Sequence, residues 1–96
     1  MSLHMIRSFK DDGLQRFATK GDPSKLSVQN PARVERILAR LDAAICPEDM
    51  NLPGWRFHAL RGQAADRYSV DASGNWRITF AFDGEDAIDV DLEDYH

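Results

Sequence analysis

The spacing of apolar residues changes once along this chain, at Pro53-Gly54. Before this point apolar residues recur three and four positions apart, and after it they alternate with polar residues. A helix buries one side with the first spacing, and a strand does so with the second. With 96 residues the chain is long enough for one hydrophobic core. We therefore predict a single α+β domain in which two helices lie before Pro53-Gly54 and most of the sheet is formed after it.

Two helices are predicted before the change of period. Asp11-Asp12 offers a capping carboxylate for the first helix, and Gly21 ends it. Asn30-Pro31 begins the second helix, and Cys46-Pro47 ends it. The apolar face of the second helix is formed by Val34, Ile37, Leu38, Leu41 and Ile45.

The remaining elements are predicted to be strands. An apolar run at residues 5–9 predicts the first, and residues 1–4, which fit no pattern, are expected to be an expression scar or an upstream start. The domain then covers residues 5–96. The second half predicts four strands, joined by turns at residues 62–65, 71–75 and Asp83-Gly84. Because such short turns join antiparallel neighbours, we predict an N-terminal strand and two helices packed on one face of a mainly antiparallel sheet, which a four-stranded C-terminal meander completes.

Alternation divides the predicted sheet into an apolar face and a polar face. If Trp55, Tyr68 and Trp76 face the helices, the polar face carries Arg56, His58, Arg67, Ser69, Arg77 and Thr79. Four of these six side chains can be cations, so the face would attract a phosphodiester backbone. The alternative is that Asp89 and Asp91, on the next strand, neutralise Arg77 as cross-strand pairs. The face can attract a phosphate and also contain these cross-strand pairs.

The charges are divided unevenly along the chain. The net charge is −4, yet residues 83–96 hold seven acids and no Lys or Arg, so residues 1–82 hold nine acids and all twelve bases. This asymmetry fits an anionic ligand on the basic body, and it fits equally a tail that pairs with the body's own arginines. On the second predicted helix, Arg33, Arg36 and Arg40 form a basic stripe, which is typical of a solvated face and can also contact phosphate.

Several classes of protein are excluded by the sequence. No apolar run approaches the length of a membrane-spanning helix, and no secretory signal is visible. Cys46 is the only cysteine, so a reducing cytoplasm is the expected location. Neither a glycine-rich phosphate loop nor a spacing typical of metal ligands occurs. We therefore expect neither a cofactor nor a bound metal.

Proton-transfer groups occur at two places. His58 stands where a predicted strand ends, three positions before Arg61, and the last three residues are Asp94, Tyr95 and His96. Imidazole and phenol transfer protons, and a carboxylate can fix an imidazole tautomer. Two histidines with arginines suffice to cleave RNA without a metal, since arginine stabilises the pentacoordinate phosphate. The alternative is a surface histidine and a frayed acidic tail.

The acids near the C-terminus also invite a two-metal nuclease interpretation. Asp89, Asp91 and Glu93 would share one strand face at spacings of about 7 Å, whereas two catalytic ions lie roughly 4 Å apart. The spacing therefore disfavours a metal pair. We predict instead that the ribose 2′-hydroxyl attacks the phosphate and leaves a 2′,3′-cyclic phosphate on the upstream fragment.

Five motifs, in order and at their spacing, resemble those of one known family. They are Met5-Ile6-Arg7-Ser8-Phe9-Lys10 with Gly13-Leu14 and Phe17, Leu52-Pro53-Gly54-Trp55, His58-Ala59-Leu60-Arg61-Gly62, Gly74-Asn75-Trp76-Arg77-Ile78-Thr79-Phe80, and Asp94-Tyr95-His96. The family is the HigB-type toxins of the RelE/ParE superfamily, the toxic halves of type II toxin–antitoxin pairs. The resemblance covers essentially all of Met5–His96 and implies a RelE-like fold.

The resemblance implies an activity, partners and site residues. Members are ribosome-dependent endoribonucleases that cut mRNA during translation, and a helix-turn-helix antitoxin of the HigA type neutralises them. The toxin–antitoxin complex represses its own promoter, so operator DNA would be bound only through that complex. His58, Asp94, Tyr95 and His96 match the catalytic residues, and Arg61 and Arg77 match the residues that contact the substrate. Arg56 and Arg67 join them as phosphate-binding candidates because they share the polar face.

Two other functions remain open. A ParE-like toxin that poisons DNA gyrase would not need a histidine pair or a terminal Asp-Tyr-His, so the motifs argue against it. A catalytically inactive module that binds only an antitoxin and an operator is disfavoured, because every candidate catalytic group is present. The chain also departs from the family pattern at Ala59, where proline is usual, and at Arg61, where lysine is usual.

Overall fold

A computed structural model of the chain describes residues 6–61 and 66–94 and has two helices and a four-stranded sheet. The helices are α1 (Asp12–Lys20) and α2 (Pro31–Ala43), and short 3₁₀ turns occupy Pro23–Lys25 and Pro47–Met50. The strands are β1 (His58–Ala59), β2 (Tyr68–Ser73), β3 (Trp76–Asp83) and β4 (Asp86–Asp94). This architecture confirms the α+β prediction. No helix within the described ranges is long and apolar enough to cross a membrane.

The predicted helix starts are confirmed by their capping contacts. The Asp11 carboxylate accepts a hydrogen bond from the Leu14 N–H at 2.8 Å, and the Asn30 side chain accepts one from the Arg33 N–H at 3.3 Å. Gly21 ends α1 with a φ of 69°, a conformation that glycine adopts at little cost. Local side chains therefore determine where both helices begin and where α1 ends.

The predicted end of the second helix is wrong. α2 stops at Ala43, so Ile45 is 53% exposed and does not join the apolar face. The backbone of Cys46 is extended, as expected of a residue before proline. The Asp49 carboxylate accepts a hydrogen bond from the Ile45 N–H at 2.9 Å. The chain turns there into the 3₁₀ segment, whose Met50 is fully buried.

The sheet is antiparallel throughout, in the order β1-β2-β3-β4, with turns at Gly74-Asn75 and Gly84-Glu85. The turn expected at residues 71–75 is thus shorter, because β2 continues to Ser73. The turn expected at residues 62–65 lies outside the described residues.

At the N-terminus the predicted strand forms only isolated parallel bridges to β4, from Ile6 to Ala87 and from Phe9 to Val90. Met5 lies outside the described residues.

The strand predicted to begin at Trp55 is much shorter than expected. Arg56 has a φ of 54°, which breaks the extended backbone, so β1 contains only His58 and Ala59. The Trp55 carbonyl still accepts the Asp71 N–H at 2.9 Å. The segment before β1 therefore lies along β2 as an irregular loop.

A bulge interrupts β4. The register shifts between Thr79 and Ala81, and Asp89 has a φ of 52°. An extra residue in one strand reverses the inward and outward positions beyond it. Ala87 is therefore buried before the bulge and Val90 and Leu92 after it. The predicted alternation of Ile88 with Val90 is wrong, and Asp89 does not continue the face of Asp91 and Glu93.

One core lies between the helices and the sheet. Each of its principal side chains is at most 8% exposed, and they come from both layers: Leu14, Val34, Ile37, Leu38, Leu41, Val70, Ile78, Phe80, Val90 and Leu92. Burying such side chains contributes roughly 1.5–3 kcal/mol each. The helices thus cover one face of the sheet, and the side chains of the other face point away from them.

Candidate active site

Most of the predicted polar face is confirmed by the strand register. His58 lies opposite Ser69, Ser69 opposite Thr79, and Thr79 opposite Asp91, which makes one row across all four strands. Residues that lie opposite each other in neighbouring strands point to the same side of a sheet. We call this side the outer face. It consists of the row His58, Ser69, Thr79 and Asp91, the second row Asp71, Arg77 and Glu93, and Arg67, which directly precedes β2.

The centre of the outer face is buried, which the sequence did not predict. Ser69 is 3% exposed and Thr79 is 0% exposed. The Thr79 hydroxyl accepts a hydrogen bond from Arg67 Nη2 at 2.7 Å and donates one to Glu93 Oε2 at 2.6 Å. Two long side chains therefore lie over a position that alternation alone would leave exposed.

Carboxylates are interleaved with the arginines of the outer face. Arg77 lies opposite Asp71 on β2 and opposite Glu93 on β4. The strand register therefore gives Arg77 the acidic neighbours Asp71 and Glu93 in place of the predicted cross-strand partners Asp89 and Asp91. The positive charge available to a phosphate is local to single arginines and does not extend over the whole face.

Arg56 is positioned by a loop, although the sequence predicted a strand position. Its Nε lies 3.3 Å from Asp71 Oδ2, and its side chain is 68% exposed. Arg33 of α2 supports the loop, because it donates hydrogen bonds to the carbonyls of Gly54 and Asp71 at 3.1 Å. Arg33 is thus a supporting residue whose role its helical position could not reveal.

His58 is exposed at the edge strand, but the backbone on both sides of it is held. Before it, the Phe57 ring stacks on Tyr68 with 5.7 Å between centroids and 6° between planes. After it, the Leu60 N–H donates to the Arg67 carbonyl at 2.8 Å. The imidazole therefore stands on a fixed backbone. Arg61 is exposed next to residues 62–65, which lie outside the description.

Asp94 lies far from His58. It ends β4 opposite Trp76, and alternation places it on the same side as the core residue Leu92. It lines a polar cleft with residues that precede α2 and that form the β2–β3 turn: Ser27, Gln29, Ser73, Gly74, Asn75 and Trp76. Three strand spacings and three residues along the strands separate Asp94 from His58, about 17 Å between Cα atoms. Tyr95 and His96 lie outside the described residues.

Part of the acidic C-terminal segment pairs with the body of the protein. Arg7 forms ion pairs with Asp83 and with Asp86, the second at 3.1 Å. The hydrogen bond that Arg7 donates to the Asp83 carboxylate raises the pKa of Arg7 above its usual value. The Ser8 hydroxyl accepts the Asp89 N–H at 2.8 Å. The pairing predicted as one alternative therefore occurs at Arg7.

No three His, Cys, Asp or Glu side chains within residues 6–61 and 66–94 form a group that could hold a metal ion. The predicted acids on β4 are separated by the bulge and by the contacts that Asp89 makes with Ser8 and Glu93 with Thr79.

Comparison with known proteins places this chain in a known class. A family model described as the RelE-like toxin of the type II toxin–antitoxin system HigB matches residues 7–96. Endoribonuclease HigB from Proteus vulgaris is 36% identical over 92 residues, which are 96% of this chain and 100% of that protein. The class is thus the RelE-like toxins of type II toxin–antitoxin systems. Within it, the chain belongs to the HigB-like toxin family, as its motifs predicted, and an antitoxin is the partner that such a system implies.

Proposed function

We propose that this toxin is an endoribonuclease that cuts mRNA on the ribosome and thereby inhibits translation. The observation that carries the proposal is the 36% identity to Endoribonuclease HigB over the whole length of that relative. The exposed His58 on the same face as Arg67 and Arg77 supports it, because imidazole and guanidinium groups can cleave a phosphodiester without a metal.

The proposed reaction is an internal transfer. The ribose 2′-oxygen bonds to phosphorus while the bond from phosphorus to the 5′-oxygen breaks. One imidazole takes the 2′-hydroxyl proton, and the other supplies a proton to the leaving 5′-oxygen. The products are a 2′,3′-cyclic phosphate and a 5′-hydroxyl. His58 and His96 are the proposed acid and base, Tyr95 assists proton transfer, and the phosphate is bound by Arg56, Arg61, Arg67 and Arg77.

The position of Asp94 constrains its proposed role. At about 17 Å from His58, its carboxylate cannot orient that imidazole through a hydrogen bond. We propose that Asp94 acts within the C-terminal group, where it fixes the tautomer of His96. The two proton-transfer groups then approach the substrate from different parts of the protein.

The charges support a need for the ribosome. The chain carries a net charge of −4, and carboxylates flank the arginines of the outer face. Free RNA is therefore expected to bind weakly at physiological salt. The ribosome would hold the mRNA in place, and the toxin would act in the cytoplasm, where translation occurs.

The proposed antitoxin is a helix-turn-helix protein of the HigA type. The toxin would reach operator DNA only as part of the complex with that antitoxin. No other nucleic acid partner and no membrane is proposed.

The experiment compares mRNA 5′ ends after the toxin is added to ribosomes on a defined mRNA, to ribosome-free mRNA, and to an mRNA with 2′-deoxyribose at the cut site. We expect new 5′ ends only when ribosomes are present and the nucleotide at the cut site carries a ribose. His58→Ala and His96→Ala should each remove the cuts. Equal cutting of the deoxy substrate would contradict the mechanism. Gyrase-dependent DNA breaks without RNA cuts would indicate the ParE-like alternative, and binding of the antitoxin without either activity would indicate the inactive module.

A further inference from the structure

Thr79 is a fully buried hydroxyl at the centre of the outer face. Its oxygen accepts a hydrogen bond from Arg67 Nη2 at 2.7 Å, and its proton goes to Glu93 Oε2 at 2.6 Å. Each of these bonds has one charged partner, which makes it shorter and stronger than a neutral one. Because Thr79 is 0% exposed, it cannot contact RNA itself.

Arg67 is also held by the bulge of β4. Its Nη2 donates a second hydrogen bond, at 2.9 Å, to the carbonyl of Asp89. Asp89 has a φ of 52°, and its N–H is bound by the Ser8 hydroxyl. The bulge is therefore anchored by the N-terminal segment, and its carbonyl points at the guanidinium. Both protons of Nη2 are used by these two contacts.

A guanidinium is planar and has five N–H donors. Two hydrogen bonds at Nη2 therefore fix the plane of the group and the directions of its three other N–H bonds. The Nε and Nη1 protons of Arg67 form no hydrogen bond within the described residues and can serve a ligand. A phosphate could accept one of them as a charge-assisted hydrogen bond, which is shorter and stronger than a neutral one. Fixing the plane in advance reduces the entropy that is lost when the phosphate binds.

We propose that Thr79 is a positioning residue that orients Arg67 for a substrate phosphate, with Glu93 and the Asp89 carbonyl as the other parts of the clamp. The inference rests on the proposed function, since it takes Arg67 to bind the RNA. It assigns a role to a buried side chain that the alternation pattern placed on the polar face without giving it a function.

The test compares Thr79→Val, which keeps the shape and removes the hydroxyl, with Thr79→Ser, which keeps the hydroxyl. Ribosome-dependent cleavage is measured as KM and kcat. We expect Thr79→Val to raise KM about tenfold with a smaller change in kcat, and Thr79→Ser to stay close to the wild type. Thr19→Val, an exposed threonine on α1, is the matched control and should change neither value.

A double substitution separates positioning from general damage. If Thr79 acts through Arg67, Thr79→Val should have no further effect in an Arg67→Ala protein. Full additivity of the two effects on KM would overturn the proposal. So would a Thr79→Val protein whose KM equals that of the wild type.

A second measurement does not depend on activity. Nitrogen-15 NMR of the arginine side chains should show a rigid Arg67 guanidinium in the wild type and in Thr79→Ser, and a mobile one in Thr79→Val. An equally rigid Arg67 in Thr79→Val would overturn the clamp. A wild-type toxin that cuts no RNA would contradict the proposed function, and the NMR comparison would then decide the clamp by itself.

Discussion

His58 and Asp94 lie at opposite edges of the sheet and at opposite ends of its strands. His58 pairs with Ser69 from the edge strand β1, whereas Asp94 pairs with Trp76 at the end of β4. The two side chains also point to different faces of the sheet. The sequence predicted both as catalytic residues, and the strand register puts them three strands and three residues apart, about 17 Å by ideal strand spacings. Substitutions at the two positions should therefore act independently on stability.

The first prediction concerns His58. Replacing it with alanine should lower ribosome-dependent cleavage about 10²–10⁴-fold, the usual contribution of a general acid or base. The midpoint of thermal unfolding should stay within about 2 °C of the wild type, because the side chain is exposed and packs in no core. Primer extension on a cleaved mRNA and circular dichroism measure the two quantities.

His4→Ala is the matched control, since no role is assigned to that histidine. It should retain full cleavage. A His58→Ala protein that cuts at the wild-type rate would remove His58 from the mechanism.

The features that the sequence predicted correctly depend on neighbours along the chain. Asp11 and Asn30 cap the helices through backbone N–H groups three residues away, and Gly21 supplies a positive φ. The turn at Gly74-Asn75 lies within the predicted residues 71–75, and the turn at Gly84-Glu85 lies one residue beyond the predicted Asp83-Gly84. Periodicity likewise identified most of the core, because one face of each element is buried.

The features that it missed depend on residues far apart in the sequence. The bulge at Asp89 is held by Ser8, which lies 81 positions earlier, and Arg56 is held in its unusual conformation beside Asp71. Thr79 is fully buried, and it is hydrogen-bonded to Arg67, which directly precedes β2, and to Glu93 of β4. The alternation within one strand indicates which of its own side chains face the core. It does not indicate which side chains of neighbouring strands cover the others.

The second prediction concerns Gly13, in the first turn of α1. A Cβ at this position would lie 2.1 Å from the carbonyl oxygen of Lys25. Gly13→Ala should therefore destabilise the fold by about 1–3 kcal/mol through overpacking. Alanine would otherwise favour the helix by about 1 kcal/mol, so the sign of the change is informative.

Urea unfolding measures this change in free energy. Gln15→Ala, at an exposed position of the same helix, is the control and should be neutral or slightly stabilising. A Gly13→Ala protein that is more stable than the wild type would contradict the close approach of α1 to the 3₁₀ turn.

The third prediction concerns the carboxylates of the outer face. Asp91 lies in the same row as His58 and Thr79. Asp91→Asn removes one negative charge near the arginines, so binding of single-stranded RNA should tighten about threefold at low salt. The difference should shrink in 0.5 M salt, where the Debye length is only a few ångströms. Fluorescence anisotropy with a labelled RNA measures both.

Asp12→Asn changes the net charge by the same amount at an exposed position on α1. It should leave the affinity for RNA unchanged. Equal tightening by both substitutions would mean that the total charge, and not the outer face, controls binding.

The fourth prediction concerns the loop that ends α2. The Asp49 carboxylate accepts the Ile45 N–H at 2.9 Å, and this hydrogen bond holds the pKa of Asp49 below its usual value. A group whose pKa is lowered by folding stabilises the protein above its unfolded pKa and loses that effect as the pH falls through the folded pKa. Asp49→Ala should therefore lower the unfolding midpoint by roughly 2–4 °C at pH 7, and the gap should narrow and then close as the pH falls below the ordinary pKa of aspartate. Glu48→Ala, an exposed residue of the same 3₁₀ turn, should show no such pH-dependent gap. A gap for Asp49→Ala that is constant from pH 7 to pH 2 would show that the carboxylate charge does not stabilise this loop.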